Sequence, residues 1–295
     1  MSQLKKEDIS QEVFDLYDDY AHNKLTRKQF LEKLSLFAVG AITLPALLSF
    51  ISPNYIDSII IKEDDPRLES KMITYNSPKG GLKIDGLLSI PKDKEGKIPG
   101  IVVVHENRGL NPYIKDVGRI AALEGFITLA PDALSPLGGY PGNDDEGRTM
   151  QRKRDPLKML EDFIAAFNYL KNHEKCSGKV GVVGFCFGGW ISNMMAVQVK
   201  DIGAAVPYYG RQPNDEQAAL VKAPLLLQYG ELDKRVNAGW PAYEKVLKAN
   251  NIEHTAHFYE NANHGFHNNT TPRFDKTAAD LSWKRTIAFF NKHLK

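Results

Sequence analysis

Gly184-Phe185-Cys186-Phe187-Gly188-Gly189 follows the apolar run Val180–Val183 and leads into a helix-forming segment, Gly188–Val199. A strand, a side chain flanked by glycines and then a helix is the pattern of a sharp elbow that presents a nucleophile. The glycines answer a steric demand, because side chains there would collide with the neighbouring strand or helix. The presented residue is a cysteine in place of serine. The helix N-terminus beneath it stabilises negative charge and so favours the thiolate. Standing alone, the same six residues also fit a glycine-rich strand-to-helix turn with a buried thiol. The rest of the chain has to supply the partners.

Outward from the elbow, strand and helix patterns alternate. Ile101–His105, Phe126–Ala130, Val180–Phe185, Ala204–Tyr209, Leu225–Tyr229 and Thr255–Tyr259 read as strands. The first is a continuous apolar run, as expected of a strand buried on both faces. Pro112–Glu124, Pro156–Asn172, Gly188–Val199 and Pro241–Ala249 read as helices, and Trp283, Ile287, Phe290 and Leu294 share one face of a closing helix. Lys71–Asn76 and Lys83–Ile90, joined by Ser77-Pro78-Lys79-Gly80-Gly81, read as a hairpin. The pattern implies an α/β fold: a mainly parallel sheet, helices on both faces and right-handed crossovers. Ser135–Asp155, long and rich in glycine and charge, reads as a loop bordering the active site.

Two residues fit as partners for Cys186. Asp233 follows the strand Leu225–Tyr229, and His264 follows the strand ending near Tyr259. Each alone has an ordinary explanation, a helix cap for Asp233 and a loop hydrogen bond for His264. Together they give nucleophile, acid and histidine in the order the α/β-hydrolase fold demands. All three fall at carboxyl ends of strands, where open parallel sheets place ligands. In this reading Cys186 attacks an acyl carbon, His264 moves the proton and Asp233 orients the ring. The oxyanion would be met by the backbone N–H groups of Phe187 and Asn107. Arg108, Tyr140, Tyr209, Arg211 and Phe266 are candidate substrate contacts.

These motifs, G-F-C-F-G-G at 184–189, H-E-N-R-G at 105–109, the Asp233 loop and N-H-G-F at 263–266, resemble the dienelactone hydrolase (carboxymethylenebutenolidase) family over about residues 70–295. The resemblance implies a compact α/β-hydrolase domain acting on small esters or lactones. It also implies that Glu106 restrains the resting cysteine, and like-charge repulsion of the thiolate is a physical means of doing so. The alternative is that Glu106 pairs with Arg108 and shapes its loop. The chain departs from the family at Asn268, four residues after the histidine, where dienelactone hydrolases carry an arginine that binds substrate. Arg148, Arg211 and Arg273 lie in other loops that offer a replacement.

Residues 1–67 read as an N-terminal helical extension and residues 68–295 as the hydrolase domain. Val13, Leu16, Tyr17 and Tyr20 recur at helical spacing. Thr26 and Gln29 form a capping box, and the following helix is expected to pass through Phe30, Leu34, Phe37 and Ala41 until Pro45 stops or kinks it. The uncharged run Leu34–Ile51 and the degraded twin-arginine pattern Thr26–Leu31 offer a second reading, an exported or anchored protein. Without a clear cleavage site, the expectation is a cytoplasmic protein with a packed helix. Its apolar face would be buried against the domain, a second copy of the chain or a membrane.

With 38 basic and 36 acidic side chains among 295 residues, gross charge points to no nucleic-acid partner. Two cysteines make neither a disulfide framework nor a zinc motif, and Cys176 reads as an incidental thiol. Glycine-rich segments match neither a phosphate loop nor a dinucleotide fingerprint, so no cofactor or metal is expected. Two other functions remain open from sequence: an acyltransferase using the same three residues, and a non-catalytic binding protein that keeps the fold.

Overall fold

The computed structural model describes residues 4–22, 24–40 and 42–295. Four helices come first: α1 (Gln11–Ala21), α2 (Arg27–Leu34), α3 (Leu44–Ile51) and α4 (Tyr55–Ser58). They bury a small core of their own, in which Val13, Phe14 and Tyr17 of α1 meet Phe30 and Leu34 of α2 and Leu47 and Ile51 of α3. The capping box at Thr26 forms, and a short 3-10 turn at Ser35–Phe37 ends the helix it opens.

Two expectations fail in this segment. The second helix does not continue to Pro45, because the chain breaks after Phe37 and Gly40 takes a left-handed φ of 62°. Pro45 then sits in the first turn of α3, where it lacks only an N–H that would be unpaired anyway. It starts a helix instead of stopping one. The expected place of Ala41 in the longer helix lies outside the described residues. Among the described residues, no helix is long and apolar enough to cross a membrane.

The sheet begins with the hairpin of β1 (Leu68–Ser77) and β2 (Leu82–Pro91), paired antiparallel from Leu68 opposite Pro91 to Ser77 opposite Leu82. There follow β3 (Ile98–Val104), α5 (Pro112–Leu123), β4 (Ile127–Pro131), α6 (Asp144–Gln151), α7 (Pro156–Lys171), β5 (Cys176–Phe185) and α8 (Phe187–Gln198). The remainder is β6 (Ala205–Tyr208), α9 (Asp215–Ala218), β7 (Leu225–Gly230), α10 (Lys234–Asn237), α11 (Trp240–Ala249), β8 (His254–Tyr259) and α12 (Lys276–Leu294). The eight strands lie in the order β1-β2-β4-β3-β5-β6-β7-β8, and β2 meets β4 antiparallel while β4 through β8 run parallel.

The period of two along β3 shows how the sheet is covered. Val102 and Val104 face a core built with α7, α8 and α11, while Ile101 and Val103 face a core built with α5 and α12. All four are fully buried, at roughly 1.5–3 kcal/mol each for removing such side chains from water. Burial on both faces is why this strand reads as an unbroken apolar run.

Ser135–Asp155 is not the simple loop expected. It holds a 3-10 turn at Ser135–Leu137 and the helix α6, whose cap is the Asn143 side chain accepting from the N–H groups of Asp145 and Glu146. Three acidic residues in the first turn suit the helix dipole. The low apolar content that suggested a loop reflects a helix whose contacts are largely ionic. Asp145 pairs with Arg27 and Arg148, and Asp144 with Arg108 and Tyr55.

Candidate active site

Cys186 is the residue between β5 and α8, with φ 57° and ψ −109°. That conformation costs a non-glycine residue on the order of 1–3 kcal/mol and persists only where the surroundings impose it. Here they do. A Cβ on Gly184 would lie 2.1 Å from the Gly188 carbonyl oxygen, and one on Gly188 would lie 2.4 Å from the carbonyl of Val104 in β3. The Cys186 N–H donates to the Tyr208 carbonyl at 3.1 Å. The elbow is therefore wedged between β3 and β6, with Cys186 at the N-cap of α8. Cys186 is mostly buried and borders a cavity of about 370 Å³.

Asp233 and His264 meet across the loops after β7 and β8. The His264 Nδ1 lies 2.6 Å from the Asp233 Oδ2, while Oδ1 accepts from the Val236 N–H at 3.1 Å and caps α10. One carboxylate thus does both things its sequence position allowed. The His264 Nε2 is buried without a hydrogen-bond partner among the described residues, with the Asp18 Oδ1 3.9 Å away, and a ring nitrogen of His264 lies within 4.8 Å of the Cys186 sulfur. The Tyr209 ring, itself at φ 36°, packs 4.9 Å from the His264 ring.

The other expected residues divide. Asn107, Phe187, Tyr209 and Arg211 line the cavity with Cys186. The Arg211 guanidinium stands 5.3 Å over the Trp190 ring on the cavity wall. Arg108 and Tyr140 do not line it; both bond Asp144, Arg108 at 2.8 Å and Tyr140 at 2.9 Å, in the seam between α6 and the N-terminal helices. Phe266 is buried among Tyr208, Tyr209 and Tyr259. Glu106 is buried and accepts from Asn268 at 3.0 Å, with Arg108 Nε 3.8 Å away. Asn268 therefore binds the glutamate of the early loop. Of the other arginines offered as replacements, Arg148 lies over Tyr20 and Arg273 over Tyr17, so both are spent on the N-terminal helices.

Asp18, His22 and Arg235 were not expected at the site. The His22 Nε2 lies 3.2 Å from the Cys186 sulfur, closer than any partner named above. Its ring packs edge-on to His264, with centroids 4.8 Å apart. Asp18 is held by Arg235 at 3.1 Å and by Arg273 at 3.5 Å. Burial pushes the Asp18 carboxyl upward, but His264, His22 and Arg235 outweigh it and hold the group well below the usual carboxylate range. The one local signal was the spacing of four between Asp18 and His22 at the polar edge of α1. That spacing also fits a solvated helix end.

His22, Cys186 and His264 bring ligand atoms within 4.8 Å of one another, and sulfur with two imidazoles suits zinc. Arg235 opposes an ion there. Its Nη2 lies 3.1 Å from the His22 Nε2 and 3.4 Å from the His264 Nδ1, placing positive charge against both rings. A fixed guanidinium in that place repels a dication.

The loop after β3 carries a pH-sensitive element. The His105 Nδ1 faces the Glu106 carbonyl, so it must donate, and Nε2 accepts from the Ala133 N–H at 3.1 Å. Burial lowers the His105 pKa, and a second ring proton would oppose the Ala133 N–H. Between the folded and ordinary pKa values the unfolded chain binds more protons, so stability falls as pH drops below about 6.5. His105→Gln, which keeps an acceptor without a titrating ring, should flatten the fall in melting temperature between pH 7 and 5. An unchanged slope would assign that fall to other groups.

A family model for dienelactone hydrolases matches residues 84–294, well over half of the chain. The chain belongs to the dienelactone hydrolase family. Dienelactone hydrolases cleave esters or lactones, and membership makes this chain a hydrolase. Residues 1–40 match a second model, described as YqhI-like. The chain is 33% identical over 230 residues to the protein usf of Aquifex pyrophilus, covering 73% of this chain and 96% of that one. It is 51% identical over 111 residues to the fragment YghX of Escherichia coli (strain K12), covering 38% of this chain and 95% of the fragment. Among solved structures, the dienelactone hydrolase of Anabaena variabilis superposes with a TM-score of 0.59 at 20% identity, over 78% of this chain and all of that one. At that identity the match speaks for the α/β-hydrolase fold alone.

Proposed function

We propose that the protein hydrolyses a small ester or lactone through a covalent thioester on Cys186, with His264 and Asp233 as its partners. The observation that carries the reading is the pair Asp233–His264. Asp233 fixes the Nδ1 proton, and the remaining Nε2 is buried without a hydrogen bond, in a ring that reaches within 4.8 Å of a sulfur on a left-handed turn. An imidazole so held can take a proton from the thiol or from water and return it to a leaving oxygen. The N–H groups of Phe187 and Asn107 are the oxyanion donors in this reading, Phe187 as the first residue of α8. Of the two parts open to Glu106, its partners Asn268 and Arg108 favour shaping the loop. The cavity of about 370 Å³ favours a small acyl group, its aromatic wall an apolar one, and Arg211 a substrate with a carboxylate.

The thioester can be trapped. His264→Ala mixed with p-nitrophenyl acetate and quenched in acid should carry one acetyl group on the peptide containing Cys186. A protein that turns the ester over with no acyl group on that peptide at any time removes the mechanism.

A further inference from the structure

The N-terminal helices hold a second imidazole–carboxylate pair on the nucleophile. His22 follows the last turn of α1, and its Nδ1 lies 2.8 Å from the Asp18 carbonyl oxygen and 3.2 Å from the Asp18 Oδ1. A carbonyl only accepts, so Nδ1 carries the hydrogen, and in the neutral ring Nε2 offers a lone pair. That lone pair is shared between the Cys186 sulfur at 3.2 Å and the Arg235 Nη2 at 3.1 Å, which can only donate. The position is built from several sides. Arg235 and Arg273 hold Asp18, the Asn107 side chain donates to the Ala21 carbonyl at 2.7 Å, and Gln11 bonds Asn263. His22 forms part of the wall of the cavity beside the sulfur and leaves about 370 Å³ open.

We propose that Asp18 and His22 form a second catalytic pair, in which His22 takes the thiol proton during acylation and leaves His264 to activate water during deacylation. The inference rests on the thioester reading above and divides its proton transfers between two bases. In acylation the S–H bond breaks and the proton goes to the His22 Nε2. The thiolate forms the S–C bond, the ester C–O bond breaks, and the leaving oxygen takes the proton from His22. In deacylation water bonds to the acyl carbon and gives a proton to the His264 Nε2. The C–S bond breaks and the sulfur recovers that proton.

The charges around His22 suit this part. Facing it are Asp18 on its own helix, Cys186 on the elbow, and His264 and Arg235 from the loops after β8 and β7, while Lys24, on the wall of the same cavity, is paired with Asp19. Burial lowers the His22 pKa, but the Cys186 sulfur and the Asp18 carboxylate outweigh it and raise the value. A ring whose hold on a proton is strengthened in this way is a better base toward the thiol beside it.

The test is the stopped-flow burst of p-nitrophenolate from full-length protein across pH. His22→Ala and His22→Gln are expected to slow the burst about 100-fold near neutral pH and to move its acid limb upward, with the slower deacylation phase within a few-fold of wild type. Asp18→Asn should give a smaller loss of the same kind. His264→Ala should show the opposite split, with deacylation the slowed phase. The glutamine variant keeps most of the side-chain volume, so it separates loss of the base from loss of the seat. A wild-type burst rate and acid limb in both His22 variants, with Cys186→Ala silent, overturns this inference alone. A faster burst in those variants overturns it in favour of a blocking role. A burst that survives Cys186→Ala removes the thioester reading and this inference with it.

Discussion

Replacing Cys186 by alanine is expected to lower turnover of p-nitrophenyl acetate by about 10⁴- to 10⁶-fold, as loss of a nucleophile does in enzymes that use one. The size of the effect follows from how much of the structure serves one atom. The strained turn presents the sulfur, α8 points its N-terminus at it, and two carboxylate-held imidazoles and a guanidinium stand around it. Those groups are arranged around a sulfur and have nothing to act on in a methyl group. The fold should survive, because the lost atom borders a cavity and alanine can adopt the same turn at similar cost. Cys186→Ser should also lose most activity, since these surroundings do not bring a hydroxyl near its ionisation range. Melting temperatures within a few degrees of wild type would show that the loss is chemical. Full activity in the alanine variant would falsify the assignment of the nucleophile.

The second large effect concerns the backbone under the sulfur. Gly184→Ala places a methyl group 2.1 Å from the Gly188 oxygen, 2.4 Å from the Gly188 carbonyl carbon and 2.7 Å from the Ser192 Oγ. Two of these are backbone atoms at the start of α8, so relief requires the helix to move away from β5. The cost should be about 3 kcal/mol, at the upper end for an overpacked core. Displacing the elbow by even an ångström should lower turnover about 100-fold as well. Gly118→Ala is the matched comparison. It lies inside α5, its added carbon would meet only Ala130 and Thr128 at 3.7 and 3.9 Å, and it should stabilise by about 0.5–1 kcal/mol. Thermal unfolding and ester turnover of the two variants check both signs. A Gly184→Ala protein as stable and active as wild type would mean that the elbow is not wedged as described.

Most strands and helices of the sheet were readable in the chain because their signals are local. β3 is apolar throughout because both its faces are covered, and α12 carries Ile287, Phe290 and Leu294 on one face because only that face is buried. The elbow was readable because steric crowding at two glycines leaves a mark within five residues. α6 was not readable, since a helix held by ion pairs to distant arginines has no apolar stripe to betray it. Pro45 was misread because proline ends one helix and begins another with the same local sequence.

The sequence by itself determined the alternation of strands and helices, the bend that carries Cys186, and the order in which Asp233 and His264 follow it. Only the tertiary structure decided that His22, 164 positions before the cysteine, stands against its sulfur, and that Arg108 and Tyr140 turn away from the cavity. The physical reason is one of range. Periodicity and crowding act between residues close along the chain, whereas the seat of α1 depends on contacts among Asp18, Asn107, Arg235 and Arg273, which are far apart in sequence and meet only in the folded chain.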